Sequence, residues 1–293
     1  MKDLASTLRL HIVAIAVCAT VTFGYLFKGA YPVGLALLCG LDWCLVNLLN
    51  RATDVDEDRL NGIAATEFVA RHARALTAGS LVVLAASLAW GFAALPLSLA
   101  VTRVVFHALG LGYSFRVVPT PKGMRRFKDL YVFKNTMSAV MFVLSVGLYP
   151  LLGLALPLAM SPAGVVAVIA YFFLFEHTFE VLYDLRDADG DRAVGVPTYP
   201  VVHGPAVSAS LVYALCAASA AVLVVARVAG AVTTRELLMV AAPAAQAAFL
   251  KRRGPEGISR ADCVGITYGG AGLLLFFLAG TELWRRAGLP MDL

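Results

Sequence analysis

The sequence predicts an all-α integral membrane protein of about nine transmembrane helices. Of its 293 residues, 60% are hydrophobic and only 15% charged. The mean hydropathy is +0.79. Apolar runs of roughly 16–24 residues recur along the chain, each able to cross about 30 Å of hydrocarbon as a helix. A soluble domain of this length needs far more charge to cover its surface. The spans must be helical, because a lone strand leaves its backbone groups unpaired in lipid. No long hydrophilic segment separates them, so residues 1–293 read as one polytopic membrane domain.

In order, the apolar runs place spans at about 10–27, 31–50, 76–95, 97–113, 135–155, 163–183, 206–229, 236–250 and 263–283. Met1–Arg9 is short and mildly basic ahead of the first run, which mimics a secretory signal. No small-residue cleavage site precedes the second run, so the first is read as an uncleaved helix. The fourth span is short and carries Arg103 and His107, read as partners for polar groups inside the bundle. Pro150 and Pro157 punctuate the exit from the fifth. Trp43, Trp90 and Trp284 near span ends read as interfacial anchors.

Composition also excludes function classes. The five cysteines lie in or beside apolar spans with no C-x-x-C pair, which speaks against a thiolate metal site or a disulfide framework. The net charge of +5 fits basic loops facing anionic lipid, not nucleic acid. With the N-terminus inside, 18 of the 24 Lys and Arg residues, Lys122 among them, fall on the cytoplasmic side. That bias places the long polar loops after spans two, four and six on one face. Ala- and Arg-rich usage is compatible with a bacterial plasma membrane, the site opening to the cytoplasm.

Two acidic clusters lie on that face. Asn47, Asn50, Asp54, Asp58 and Asn61, at the end of span two, follow steps of 3, 4, 4 and 3. If the helix continues past the membrane boundary, all five share one side. Asp54 and Asp58 then stand one turn apart, about 6 Å along the axis. Like charges so placed need a cation between them, and hard oxygens suit Mg²⁺, which is commonly shared with substrate phosphates. His177, Glu180, Asp184, Asp187 and Asp191, at the end of span six, follow steps of 3, 4, 3 and 4, with Glu176 one turn above Glu180. Acidic groups at the depth of Glu176 and Glu180 face a bundle interior or wet cavity. His177 alone reads as a buried hydrogen-bonding residue. One acidic helix end is usually a solvated face or a cap. Two matched stripes on one side of the membrane point instead to a single cavity bridged by metal and diphosphate.

The run from Asp184-Leu-Arg-Asp187 through Asp191 into Gly195-Val-Pro-Thr198-Tyr-Pro200 closely resembles the second Asp-rich motif of the UbiA superfamily of intramembrane prenyltransferases. The first cluster resembles the family's N-D-x-x-D-x-x-x-D motif through Asn50, Asp54 and Asp58. It departs at Arg51, which stands where the family has Asp. Tyr113-Ser114, followed by a basic loop and Lys134-Asn135, resembles a third family segment. The resemblance covers essentially the whole chain. It implies a ring of nine helices around a central cavity with a cytoplasmic cap, Mg²⁺ as cofactor and an isoprenyl diphosphate as substrate.

On this reading Asn50, Asp54, Asp58, Asp184, Asp187 and Asp191 hold metal. Asn50, Arg51, Tyr113, Lys128, Lys134 and Arg192 contact the diphosphate. Asp54, Asp58, Asp187, Asp191 and Lys134 carry catalysis, with Arg125 and Arg126 as further basic candidates at the mouth. Apolar span interiors would shield the prenyl cation from water. The expected reaction transfers the prenyl group to an aromatic or other lipophilic acceptor. The alternatives are a membrane-embedded terpene cyclase that needs no acceptor, and an ion-coupled transporter. The transporter predicts charges deep in the spans along a permeation path and paired broken helices, whereas here the carboxylates cluster mainly at one face and no paired broken helices are evident.

Overall fold

The computed structural model describes residues 2–121 and 123–288; Lys122 lies outside them. Helices form at all nine expected places. They are α1 (Leu10–Lys28) and α2 (Val33–Thr53), followed by a short α3 (Val55–Leu60), then α4 (Thr66–Ala94) and α5 (Leu97–Ser114). Next come α6 (Met137–Gly153), α7 (Pro162–Val194), α8 (Pro205–Val228), α9 (Ala241–Arg253) and α10 (Arg260–Arg286). Among the described residues, seven helices are long and apolar enough to cross a membrane; α6 and α9 are shorter. Proline accounts for both. Pro150 has no N–H to donate within α6, and the turns before it, Val143–Gly147, widen into a π-helix. Pro243 sits in the first turn of α9, which is preceded by a separate 3₁₀ turn at Leu238–Val240.

Helices adjacent in sequence pack against one another, and α10 packs on α1, so the bundle closes on itself. Its main core gathers Phe23, Phe27, Trp43, Phe106, Phe142, Tyr149 and Phe172. Large apolar side chains such as Val82, Phe92, Val166, Val225 and Phe276 point outward, as a lipid-facing surface requires.

Two helix ends depart from ordinary spans in ways that build the site. α7 has 33 residues, about 50 Å of helix against about 30 Å of hydrocarbon. Its last turns therefore project into water, and Gly195, at φ 73°, ends it in the left-handed conformation. α2 does not run on unbroken. Asp54 leaves helical geometry at φ −107°, ψ 24°, yet its N–H reaches Asn50 O at 3.0 Å and the Asp58 N–H reaches Asp54 O at 2.8 Å. The result is a kink that redirects α3. The loop between α5 and α6 folds back as a hairpin, with β1 (Val118–Thr120) antiparallel to β2 (Gly123–Arg125). Phe127 then lies over Gly112, where a β-carbon would stand 2.3 Å from its ring. That close approach turns Lys128 inward.

Candidate active site

A cavity of about 180 Å³ opens where these ends converge, lined from α1, α2, α3, α5, α6, α7, α10 and the α5–α6 loop. The two acidic stripes meet there: Asn50, Asp54 and Asp58 on one wall, Asp184, Asp187 and Asp191 on the other. The closeness of the walls has a local cause. A β-carbon at position 190 would fall 1.8 Å from Asn61 Oδ1, so the absence of a side chain there gives the Asn61 amide its place against α7.

Two ammonium groups are set among the carboxylates. Lys128 Nζ lies 2.7 Å from Asp54 Oδ2 and 2.6 Å from Glu57 Oε2. Arg126 donates to the other Asp54 oxygen at 3.1 Å and also holds Asp129. Lys134 Nζ lies 2.6 Å from Asp184 Oδ1. Burial pushes the Asp54 carboxyl up to about 6 against the pull of Lys128. Burial raises Asp58 as well, opposed by Arg9 and Arg51. Burial alone would lower Lys134, but the Asp184 carboxylate beside it holds its ammonium well above the usual lysine range.

Several cavity oxygens have no hydrogen-bond partner: Asn50 Oδ1, Glu180 Oε2, Asp184 Oδ2 and Asp191 Oδ2. Buried oxygens left unpaired are costly, and hard oxygens of this kind fit a small divalent cation. Among the described residues, no three His, Cys, Asp or Glu side chains are close enough to hold a metal by themselves. That spacing suits an ion that keeps several waters and is completed by substrate phosphates.

Of the residues singled out from the sequence, Asn50, Asp54, Asp58, Tyr113, Lys128, Lys134, Asp184, Asp187 and Asp191 line the cavity. Two do not. Arg192 follows Asp191 by about 100° around the helix. It is exposed at the far side, paired with Asp189 at 2.8 Å. Arg51 is fully buried but turned away, donating to Ser6 O and Ala64 O at 3.0 Å each and pairing with Asp58 at 2.8 Å. It ties the N-terminal segment and the residues after α3 to the end of α2. His177 is buried outside the cavity, beside Phe173 and Tyr199.

Three charged lining residues were given no role in the sequence reading. Glu57 is off the first stripe and enters only because the kink at Asp54 rotates α3. Arg9 reaches the cavity from the turn before α1, where its φ of 47° is left-handed. Arg186, held against Asp187 and over the Tyr183 ring at 4.7 Å, was visible only as part of the second motif.

The model of the UbiA prenyltransferase family matches residues 11–261. A search of curated proteins returns no match. Among solved structures, a UbiA homologue from Archaeoglobus fulgidus bound to GPP and Mg²⁺ superposes with a TM-score of 0.72 at 19% identity, covering 94% of this chain and 97% of that one. The apo structure of a UbiA homologue from Aeropyrum pernix K1 gives 0.62 at 16% identity, covering 94% and 98%. A structure described for digeranylgeranylglyceryl phosphate synthase gives 0.57 at 15% identity, covering 95% of each chain.

Proposed function

This chain belongs to the UbiA prenyltransferase family, and from that premise we propose that it is a Mg²⁺-dependent intramembrane enzyme that ionises an isoprenyl diphosphate and transfers the prenyl group to an aromatic or other lipophilic acceptor. The observation that carries this reading is the convergence of the Asp54–Asp58 and Asp184–Asp187–Asp191 stripes on one buried cavity. The Archaeoglobus fulgidus homologue of the same fold binds GPP, or DMAPP, together with Mg²⁺.

The proposed roles follow from position. Asn50, Asp54, Asp58, Asp184, Asp187 and Asp191 hold Mg²⁺, whose Lewis acidity, when it is bound, stabilises the negative charge of the leaving diphosphate. Lys134 and Lys128, now paired with Asp184 and with Asp54 and Glu57, would donate to diphosphate oxygens, while Tyr113 closes the same wall. Phe142 and Phe179, deeper in the cavity, keep water from the allylic cation and offer it their ring faces. The mouth opens at the basic end of the bundle. The charge bias of the loops supports a cytoplasmic-facing mouth.

The test uses purified protein with C10, C15 and C20 diphosphates, with and without phenolic acceptors. Diphosphate release should require Mg²⁺, stop with EDTA and fall at least about 100-fold in Asp54→Asn and Asp187→Asn. Unchanged release in either folded variant removes the site. A cyclic product formed without an acceptor would move the reaction to intramolecular capture.

A further inference from the structure

The cavity contains two acidic side chains that binding of metal and diphosphate does not use. Glu180 and Glu176 lie on the α7 stripe one and two turns further into the bundle than Asp184, roughly 6 and 12 Å along the axis. Both line the cavity, and both are buried, at 8% and 5% exposure. Lys134, the cation facing Glu180, is already on Asp184 at 2.6 Å, and Glu180 Oε2 has no hydrogen-bond partner. The neighbours at this depth include Ile15, Phe142 and Phe179. An ionisable group kept among such neighbours inside a membrane bundle is expensive, and groups retained there mark function.

We propose that Glu180, with Glu176 behind it, is the base that takes up the proton released when the prenyl cation is captured. This rests on the prenyltransferase reading above. With the diphosphate held at the level of Asp184, a carboxylate one turn deeper stands at the depth of the substrate's first carbon. There the C1–O bond breaks and its electron pair leaves with diphosphate. A π pair of the acceptor forms the new bond to C1. The C–H bond at the attacked carbon then breaks, its pair restores the acceptor's π system, and the proton passes to a Glu180 oxygen. No oxidant or reductant enters. The Tyr183 hydroxyl is engaged, bonded to Thr267 at 2.9 Å and to Cys263 O at 3.2 Å. Asp184, Asp187 and Asp191 of α7 are assigned to metal and diphosphate.

The role makes the acceptor a molecule that gives up a proton on prenylation, such as a neutral phenol or naphthol, and disfavours one that presents a carboxylate to the deep wall. The experiment compares wild type, Glu180→Gln, Glu180→Asp and Glu176→Gln in lipid nanodiscs, with geranyl diphosphate, Mg²⁺ and a panel of phenols and naphthols. It reads diphosphate release separately from the ratio of proton-loss products (prenylated acceptor and alkenes) to prenyl alcohol. Glu180→Gln should still bind geranyl diphosphate by thermal shift and release diphosphate within about tenfold of wild type. Its product ratio should move at least about 100-fold toward the alcohol, the usual worth of a general base, with Glu180→Asp in between. An unchanged ratio in Glu180→Gln overturns the proposal, as does a wild type that yields prenyl alcohol alone. A wild type that releases no diphosphate sinks the prenyltransferase reading itself, and this step with it.

Discussion

The Lys128 ammonium rests 2.7 Å from Asp54 and 2.6 Å from Glu57, with its side chain only 1% exposed. It therefore takes the place on the first acidic wall that the chemistry assigns to a metal ion. Lys134 does the same on the second wall against Asp184. Without these ammonium groups, the facing carboxylates would repel one another across a site of low dielectric.

On the proposed metal site, metal and lysine would compete for the same oxygens, which gives a measurable outcome. Lys128→Met should bind Mn²⁺, used as a probe for Mg²⁺, about tenfold more tightly than wild type when no diphosphate is present. Adding pyrophosphate, which supplies oxygens of its own to the metal, should tighten both, and wild type by the larger factor, because only wild type has an ammonium to move from carboxylate to phosphate. Electron paramagnetic resonance of free Mn²⁺ reads both. Equal or weaker metal binding in the variant contradicts the exchange.

The basic side chains divide by what they face. Lys134 is buried at the cavity on Asp184, whereas Arg192 is exposed with its guanidinium on Asp189. Lys134→Ala should lower prenyl turnover by at least about 100-fold. Arg192→Ala, which loses only a surface ion pair, should stay within about threefold. Steady-state rates on one prenyl diphosphate check the pair, and comparable losses in both would place Arg192 in the site after all.

Much of this architecture was legible in the sequence because apolar runs and steps of 3 and 4 act through local geometry. The nine helical positions and the two stripes follow from it, whereas Lys128 and Lys134 were legible only as part of the basic loop and the resemblance to a family segment. What stayed hidden depends on contacts between distant elements. Arg51 reads as a site cation because it stands inside the motif, but the Ser6 and Ala64 carbonyls draw it away. Glu57 reads as a solvated charge until the kink at Asp54 turns it toward Lys128. Arg9 carries no pattern at all, and only the packing of α1 against α10 brings it to the mouth.

Gly190 tests whether closeness of the two walls matters. Glycine to alanine within an exposed helix normally stabilises by roughly 0.5–1 kcal/mol. At position 190 the added methyl would collide with the Asn61 side chain, 1.8 Å from its Oδ1, and displace that amide from its seat between α3 and α7. Gly190→Ala should cut turnover about tenfold or more with little loss of thermal stability. Gly79→Ala, where nothing lies within 4 Å, should not. Full activity in Gly190→Ala would mean that the walls act without this docking.

Far from the cavity, Asp42 and Arg103 form a fully buried pair, with bonds of 2.9 Å from Nε and 2.8 Å from Nη2. Tyr149 donates to the same carboxylate at 2.7 Å, and His107 Nε2 lies 3.0 Å from it. Arg103 also donates to the Ser87 carbonyl and hydroxyl, so the network ties α2, α4, α5 and α6. Every oxygen of Asp42 is engaged, which suits a structural lock better than a reactive group. Removing one partner leaves a buried charge uncompensated, and Asp42→Ala or Arg103→Met should each cost about 3–5 kcal/mol. Replacing both, as Asp42→Leu with Arg103→Met, removes the desolvation penalty along with the attraction and should be less damaging than either single change. Unfolding of the detergent-solubilised variants measures this directly. Additive losses in the double variant would show that the two side chains act separately.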